Sequence, residues 1–360
     1  MPIRRVLMRR RMFIQGCGVG ATLLRSGLAA TPMVIADPSD VSASVYDILV
    51  CGPHGGRTDR WARAVAQGMG AKLSARQPIL LHSVGGQDGV TGANRLQTTV
   101  IPDGQTAAML PSEAVIAFLT GDPRVHFQPG EWIPVMAGLN AAVLIVRGGL
   151  QRLADPAPIR LAAASPESPD LAALLAFQRL GVATAPVFGL RGAAAVARAF
   201  ADGEADAVLL TGEEVPADAA PLTAEGGVAV GTLGVVDEQN QMVADPLFPA
   251  LPTVHAIAAD RGATPLSRPL EAAYRAVAAA SRIDFMLVLP HLTTPGTVAM
   301  WRQAAVGAVA TPALQAAAAA SAIDLTATGA ALAAAPFDVP ADGLLALRQF
   351  LFQHFGWRPS

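Results

Sequence analysis

The residues best suited to chemistry lie in one stretch, Ile48–Asp59, which reads Ile-Leu-Val-Cys-Gly-Pro-His-Gly-Gly-Arg-Thr-Asp. An apolar run that reads as a buried strand stops at Gly52-Pro53. The pair Gly55-Gly56 follows, and a helix is predicted from about Thr58. The first N–H groups of a helix lack internal partners and sit at the positive end of its dipole, and glycines let consecutive N–H groups converge. Such a turn can hold an anion; an ordinary βα turn explains the stretch equally well. A second glycine turn, Gly85-Gly86-Gln87-Asp88-Gly89, precedes another predicted helix. Arg57 and Arg191 each sit at a helix start beside glycine, Arg191 next to Gly192, where a guanidinium could meet a carboxylate; both read as readily as solvated surface arginines. His54 stands at the tip of the first loop, more in keeping with a solvated side chain than a ligand contact, and Ser112 is a natural N-cap that could also reach a ligand.

Catalytic and metal motifs are missing from the sequence. It contains no Gly-x-Ser-x-Gly, no His-Glu-x-x-His and no Gly-x-x-x-x-Gly-Lys. His54, His82, His126, His255, His291 and His354 are scattered without metal-ligand spacing. Removal of the N-terminal segment would leave Cys51 as the single cysteine, a buried inert thiol at a strand end with no disulfide partner. No cofactor and no metal are expected, and the chain does not read as an enzyme. A Ser/His/Asp set assembled only in three dimensions stays open.

The chain has 360 residues, enough for two domains or one large one. At 52% hydrophobic and 15% charged residues it can bury a sizeable core. Six arginines and no acid fall in residues 1–36, so the rest carries 20 basic and 28 acidic residues. That acidic body argues against nucleic acid as a partner. Arg10-Arg11-Met12-Phe13-Ile14, a weakly apolar stretch to Leu24 and small residues up to Ala36 read as a Tat-like export signal over 1–36, which implies a periplasmic location. The apolar run is too short for a stable membrane anchor.

Behind the first loop, Trp61, Val65, Met69 and Leu73 recur every four residues and predict a helix over Thr58–Leu73 with one buried stripe. Strands are expected at Tyr46–Cys51, Pro78–Ser83 and Gln105–Leu110, each leading through a loop into a helix, the last of them starting at Ser112. This βαβαβα series predicts a parallel sheet with ligands outside its carboxyl ends. Runs at Trp132–Ala137 and Ala141–Val146 read as crossing strands. A second series follows, with strands at Ile159–Ala164 and Asp206–Leu210 and helices at Asp170–Leu180 and Gly192–Ala201. Gly226–Val236 reads as a strand crossing back, Asp245–Thr253 as an irregular segment, and Ile283–Leu289 as a late strand. Helices at Thr297–Val309, Pro312–Ala322 and Ala341–His354 are expected to pack on the first lobe.

At these residues the chain resembles the Bug or TctC family, the extracytoplasmic receptors of tripartite tricarboxylate transport systems. The family's first loop, Pro-Pro-Gly-Gly-x-x-Asp, is matched by Pro53-His54-Gly55-Gly56-Arg57-Thr58-Asp59, except at His54. Its second-turn pattern is matched by Gly89-Val90-Thr91-Gly92 and Ile101-Pro102-Asp103-Gly104-Gln105-Thr106. Leu190-Arg191-Gly192, Gly203-Glu204-Ala205-Asp206, Phe248-Pro249-Ala250-Leu251-Pro252-Thr253 and Pro295-Gly296-Thr297 follow in the family's order. The resemblance implies a periplasmic-binding-protein-like (type II) venus flytrap of two α/β lobes: 37–140 plus 237–360 as lobe 1, and 141–236 as lobe 2. It implies a small carboxylated solute held between the lobes by Gly55, Gly56, Arg57, Asp59, Gly86, Gly89 and the second-lobe loops, and delivery to the membrane permease subunits of such a transporter. A sensory receptor presenting its ligand to a membrane kinase is the alternative; an exported α/β enzyme is a more remote one.

One loop departs from the family. The usual second-lobe Ser-x-Gly-x-Gly-Ser-x-x-His-Leu reads Ser165-Pro166-Glu167-Ser168-Pro169-Asp170-Leu171 here. Two prolines remove N–H donors, while Glu167 and Asp170 add negative charge, although Asp170 suits the dipole of the helix it begins. A dicarboxylate held by Ser165 and its neighbours would be repelled. A monocarboxylate, an amide, or an amino acid whose ammonium pairs with Glu167 is expected instead.

Overall fold

The structure, a computed structural model, describes residues 45–73, 78–212, 215–239 and 241–359. The export-signal reading of 1–36 lies outside them. Strands in chain order are β1 Asp47–Val50, β2 Leu80–Ser83, β3 Thr106–Leu110, β4 Ile133–Leu139, β5 Ala141–Arg147, β6 Ile159–Ala162, β7 Thr184–Val187, β8 Ala207–Gly212, β9 Gly227–Thr232, β10 Val235–Val236, β11 Met242–Val243, β12 Ile283–Leu289 and β13 Asp324–Thr326. They form a six-stranded sheet ordered β13-β4-β12-β3-β1-β2, a five-stranded sheet ordered β7-β6-β8-β5-β9, and the small antiparallel pair β10-β11. In the larger sheet β1 runs parallel to β2 and β3, while β12, β4 and β13 add antiparallel pairings. In the smaller, β6 is parallel to β7 and β8, and β5 is antiparallel to β8 and β9. Each sheet and its covering helices make one lobe.

The inner parallel strands β1, β3 and β8 are short apolar runs buried under covering helices, while the parallel edge strands β2 and β7 are exposed or half-buried. The helix Arg57–Leu73 lays Trp61, Val65, Met69 and Leu73 into the core of the larger sheet, while Arg60, Arg63 and Gln67 are exposed. Burying each of those four side chains contributes roughly 1.5–3 kcal/mol. Against it lies Pro295–Val309, with Trp301 fully buried and its indole N–H bonded to the Gly104 carbonyl at 2.8 Å. Cys51 is free and buried beside Gly92, and burial pushes its thiol well above the ordinary range.

The chain crosses between the sheets at Asn140, one residue separating β4 from β5, and returns through Leu233-Gly234. Gly226–Val236, expected as one crossing strand, is broken there. Leu233 donates its N–H to Ala142, and Gly234 turns the chain at φ 78°, where a side chain would meet the Val243 carbonyl at 2.6 Å. Buried Arg282, just ahead of β12, bonds the Asn140 carbonyl at 3.2 Å and the Gly234 carbonyl at 2.7 Å, so one side chain ties both crossings.

Helix Arg268–Ser281, whose Leu270, Tyr274 and Val277 form one apolar stripe, runs through the centre of the fold. It packs on Leu171–Arg179 of the second lobe and on Ser112–Thr120 and Ala341–Phe355 of the first. Tyr274 and Val277 join Leu171, Leu174 and Leu175 in one continuous buried cluster.

Candidate functional site

The lobes meet around a cavity of about 760 Å³, within the size range of small-molecule sites. From the first lobe, Gln87 and Asp88 of the second glycine turn line it, with Glu113, Ala117 and Thr120 of the helix after β3 and the turn Asp122-Pro123-Arg124. From the second lobe come Ala164, Ser165 and Glu167 to Asp170 after β6, Arg191-Gly192 after β7, and Thr211 near the end of β8. The walls therefore come from the carboxyl ends of parallel strands in both sheets, where α/β folds hold ligands. The C-terminal tail adds Trp357 and Pro359.

Of the residues singled out in sequence, Ser165, Glu167, Arg191 and Gly192 line this cavity. Gly86 and Gly89 flank its Gln87-Asp88 edge; both take positive φ, 80° and 72°. A Cβ on Gly89 would lie 2.6 Å from the Pro111 ring, so the turn must pass tightly over the start of the next helix. Ser112 sits beside the lining residue Glu113. It is not the N-cap: Pro111 occupies that position, and Ser112 is the first helical residue with its hydroxyl donating to Glu113 Oε2 at 3.0 Å. Proline before the helix sets the extended entry and displaces the cap by one residue.

The first loop lies apart from the lining, and the anion its turn holds is its own. Gly55 donates its N–H to Asp59 Oδ2 at 2.8 Å, Gly56 donates to the Pro53 carbonyl at 3.0 Å, and Arg63 bonds both Asp59 oxygens. Burial opposes ionisation of Asp59, but the Gly55 N–H and the Arg63 guanidinium outweigh it and hold the carboxyl below its ordinary value. Exposed His54 leans on the same carboxylate at 3.4 Å. Arg57 reaches the buried Asp284 carboxylate on β12 at 2.8 Å, and a Cβ on Gly212, at the end of β8, would lie 3.3 Å from its Nη2. Arg57 thus sits at the seam between the lobes, paired with a protein carboxylate.

The cavity itself is acidic. Asp88, Glu113, Asp122, Glu167 and Asp170 face two guanidiniums, Arg124 and Arg191. Arg124 is held by Asp88 at 2.7 Å and Asp122 at 2.5 Å, and its bonds to Asp122 keep that carboxyl below its ordinary value. Asp170 accepts from the Ala164 N–H at 2.7 Å and the Ser168 hydroxyl at 3.0 Å, yet burial still raises its pKa. It stitches its own loop together, with no side-chain bond to the helix it precedes. Among the described residues, Glu167 and Arg191 have no hydrogen-bond or ion-pair partner, and no group of three or more histidines, cysteines or acids is disposed to hold a metal.

Sequence reasoning did not reach Trp357. Gly356 ends the last helix in the left-handed region at φ 64°, and the backbone N–H of Trp357, a lining residue, then donates to the Leu351 carbonyl at 3.3 Å. Phe355 meets Phe188 of the second lobe edge-on at 5.9 Å beside it. Asp88 and the Asp122–Arg124 turn were readable as polar turn residues; nothing local marked them as neighbours on one wall of the cleft.

No known family model matches the chain, and no curated protein does. Solved structures do. A TctC solute-binding protein from Polaromonas superposes with a TM-score of 0.60 at 17% identity, over 84% of this chain and 97% of its own. MatC from Rhodopseudomonas palustris, solved with bound malate, gives 0.51 at 18% identity, over 85% and 98%. A structure described as a periplasmic transporter gives 0.52 at 17% identity, over 86% and 97%. The chain has the two-lobed α/β fold of the type II periplasmic binding proteins.

Proposed function

We propose that the protein is an exported, non-enzymatic solute-binding protein. It captures a small carboxylate-bearing solute between its lobes and delivers it to the membrane permease of a tripartite tricarboxylate-type transporter. The observation that carries this is the cavity of about 760 Å³ walled by loops from the carboxyl ends of both sheets. A site assembled from two lobes orders when a ligand bridges them, which couples binding to a shape that a membrane partner can read. The fold shared with the TctC protein and with malate-bound MatC supports the same reading. Within the cavity, Arg191 beside Gly192 is the group for the carboxylate, since its guanidinium is not engaged by a protein acid, unlike Arg57 and Arg124. The leader-like arginines of 1–36 support export.

Thermal unfolding with a panel of small carboxylates, followed by calorimetry and product analysis, tests the proposal. A ligand at a hundredfold excess over its Kd adds about 2.7 kcal/mol to the folded state, a clear rise in Tm. Binding without turnover supports the receptor; turnover of any panel member refutes it. Retention of the chain in the cytoplasm after expression with its own residues 1–36 refutes export.

A further inference from the structure

We propose that the captured solute is a zwitterion, with its carboxylate at Arg191 and its ammonium at Glu167 and the indole face of Trp357. This rests on the receptor reading and adds the charge of the ligand's second end. Five carboxylates and two guanidiniums line the cavity, so a dianion entering it meets an excess of like charge. Local pairing deepens the contrast. Arg124 is engaged by Asp88 and Asp122, which leaves Arg191 as the one guanidinium of the lining that no protein acid engages, among the described residues. One such cation takes one carboxylate.

The remaining features suit a cation. Glu167 is exposed and unpaired on the same lobe as Arg191, at the tip of the proline-bearing loop. Trp357 also lines the cavity, and an indole in a carboxylate-lined site is a chemical setting that recognises organic ammonium groups. The cavity thus has separate features for each charge of an amino acid or ω-amino acid, and a surplus of carboxylates against a second anionic end.

Titration calorimetry on the purified protein tests this with length-matched probes: butyrate, butylamine, 4-aminobutyrate and succinate, and the six-carbon set hexanoate, hexylamine, 6-aminohexanoate and adipate. Within at least one set the zwitterion is expected to bind about tenfold or more tighter than the dicarboxylate, a difference of about 1.4 kcal/mol. Glu167→Gln, at an exposed site, should keep the wild-type Tm and erase most of that preference. Trp357→Ala should weaken the zwitterion about threefold or more while leaving the carboxylate-only probes unchanged, and Trp357→Phe should restore part of the loss. A dicarboxylate that binds as tightly as the zwitterion overturns the charge assignment and leaves the receptor standing. So does a Glu167→Gln variant with unchanged preference. Silence from all eight probes overturns both.

Discussion

Breaking the buried ion pair at the crossings should cost far more than breaking any surface pair. Arg282 and Asp245 are 3% and 0% exposed at the side chain and meet at 3.2 Å. Burial lowers the Arg282 pKa, and the charges of Asp245 and Asp324 oppose that shift. In Asp245→Asn the shape and the acceptor for the Leu247 N–H, 2.9 Å away, are kept, while Arg282 loses its ion-pair partner and keeps only the charge of Asp324, acting without a direct bond. Removing one member of such a pair costs about 3–5 kcal/mol. In Arg282→Met the Asp245 charge is stranded, and the carbonyls of Asn140 and Gly234 lose a donor, at about 1–3 kcal/mol for each buried acceptor left unpaired. In the double variant the second substitution removes the charge stranded by the first. Its loss should therefore fall short of the sum of the singles, with a coupling of about 2 kcal/mol. Urea unfolding measures this, as midpoint shifts at unchanged slope. A loss below about 1 kcal/mol for Asp245→Asn, or strict additivity, would show that the pair does not hold the crossings as argued.

Gly92→Ala would put a Cβ 2.2 Å from Cys51 Sγ and 2.8 Å from its Cβ, so thermal unfolding should show a loss of about 1–3 kcal/mol. Adding Cys51→Ala should recover part of it, and an unchanged Tm for the single variant would refute the contact. Thr253 caps the helix Val254–Asp260 by accepting the Ala256 N–H at 3.0 Å, so Thr253→Ala should cost about 1 kcal/mol in the same assay and Thr253→Ser much less. Burial acts to raise the Asp206 pKa, but the two-pronged Arg160 bonds, 2.6 and 2.8 Å, outweigh it and keep the folded value depressed. Its stabilisation is therefore complete above the unfolded pKa of about 4 and disappears as pH falls through the lower folded value. Asp206→Asn should lower stability at pH 7 and reduce the loss seen on acidification; an unchanged pH profile would count against the pairing.

Much of the fold was legible because its signals are local. Val50 and Leu110 end apolar runs closed by Gly52-Pro53 and Pro111, and the four-residue recurrence from Trp61 to Leu73 marks a helix face. Each of these appears in the structure within about one or two residues of the expected bounds. Helix Arg268–Ser281 stands outside the sequence expectations although its signal is present: Leu270, Ala273, Tyr274 and Val277 recur at helical spacing, with Arg268 and Glu271 off that face. The Ser112 cap failed because proline at 111 already fixes an extended entry, so the favoured cap residue falls one place inside the helix. Trp357 could not be placed from sequence, since its position depends on the left-handed turn at Gly356 and on how the last helix crosses the first lobe.

On the proposed reading, the two ends of the site separate scaffold from selectivity. Glycine turns follow β1 and β2, yet the first turn has its own acid in Asp59, and Arg57 has its own in Asp284. Those charges fix the loop and the seam between the lobes. Under the proposed receptor reading, selection falls to the loops after β6 and β7, where Glu167 and Arg191 line the cavity. Two proteins can therefore superpose over most of their lengths and still take solutes of different charge, because the residues that set the backbone path and the residues that face the cavity are largely different ones.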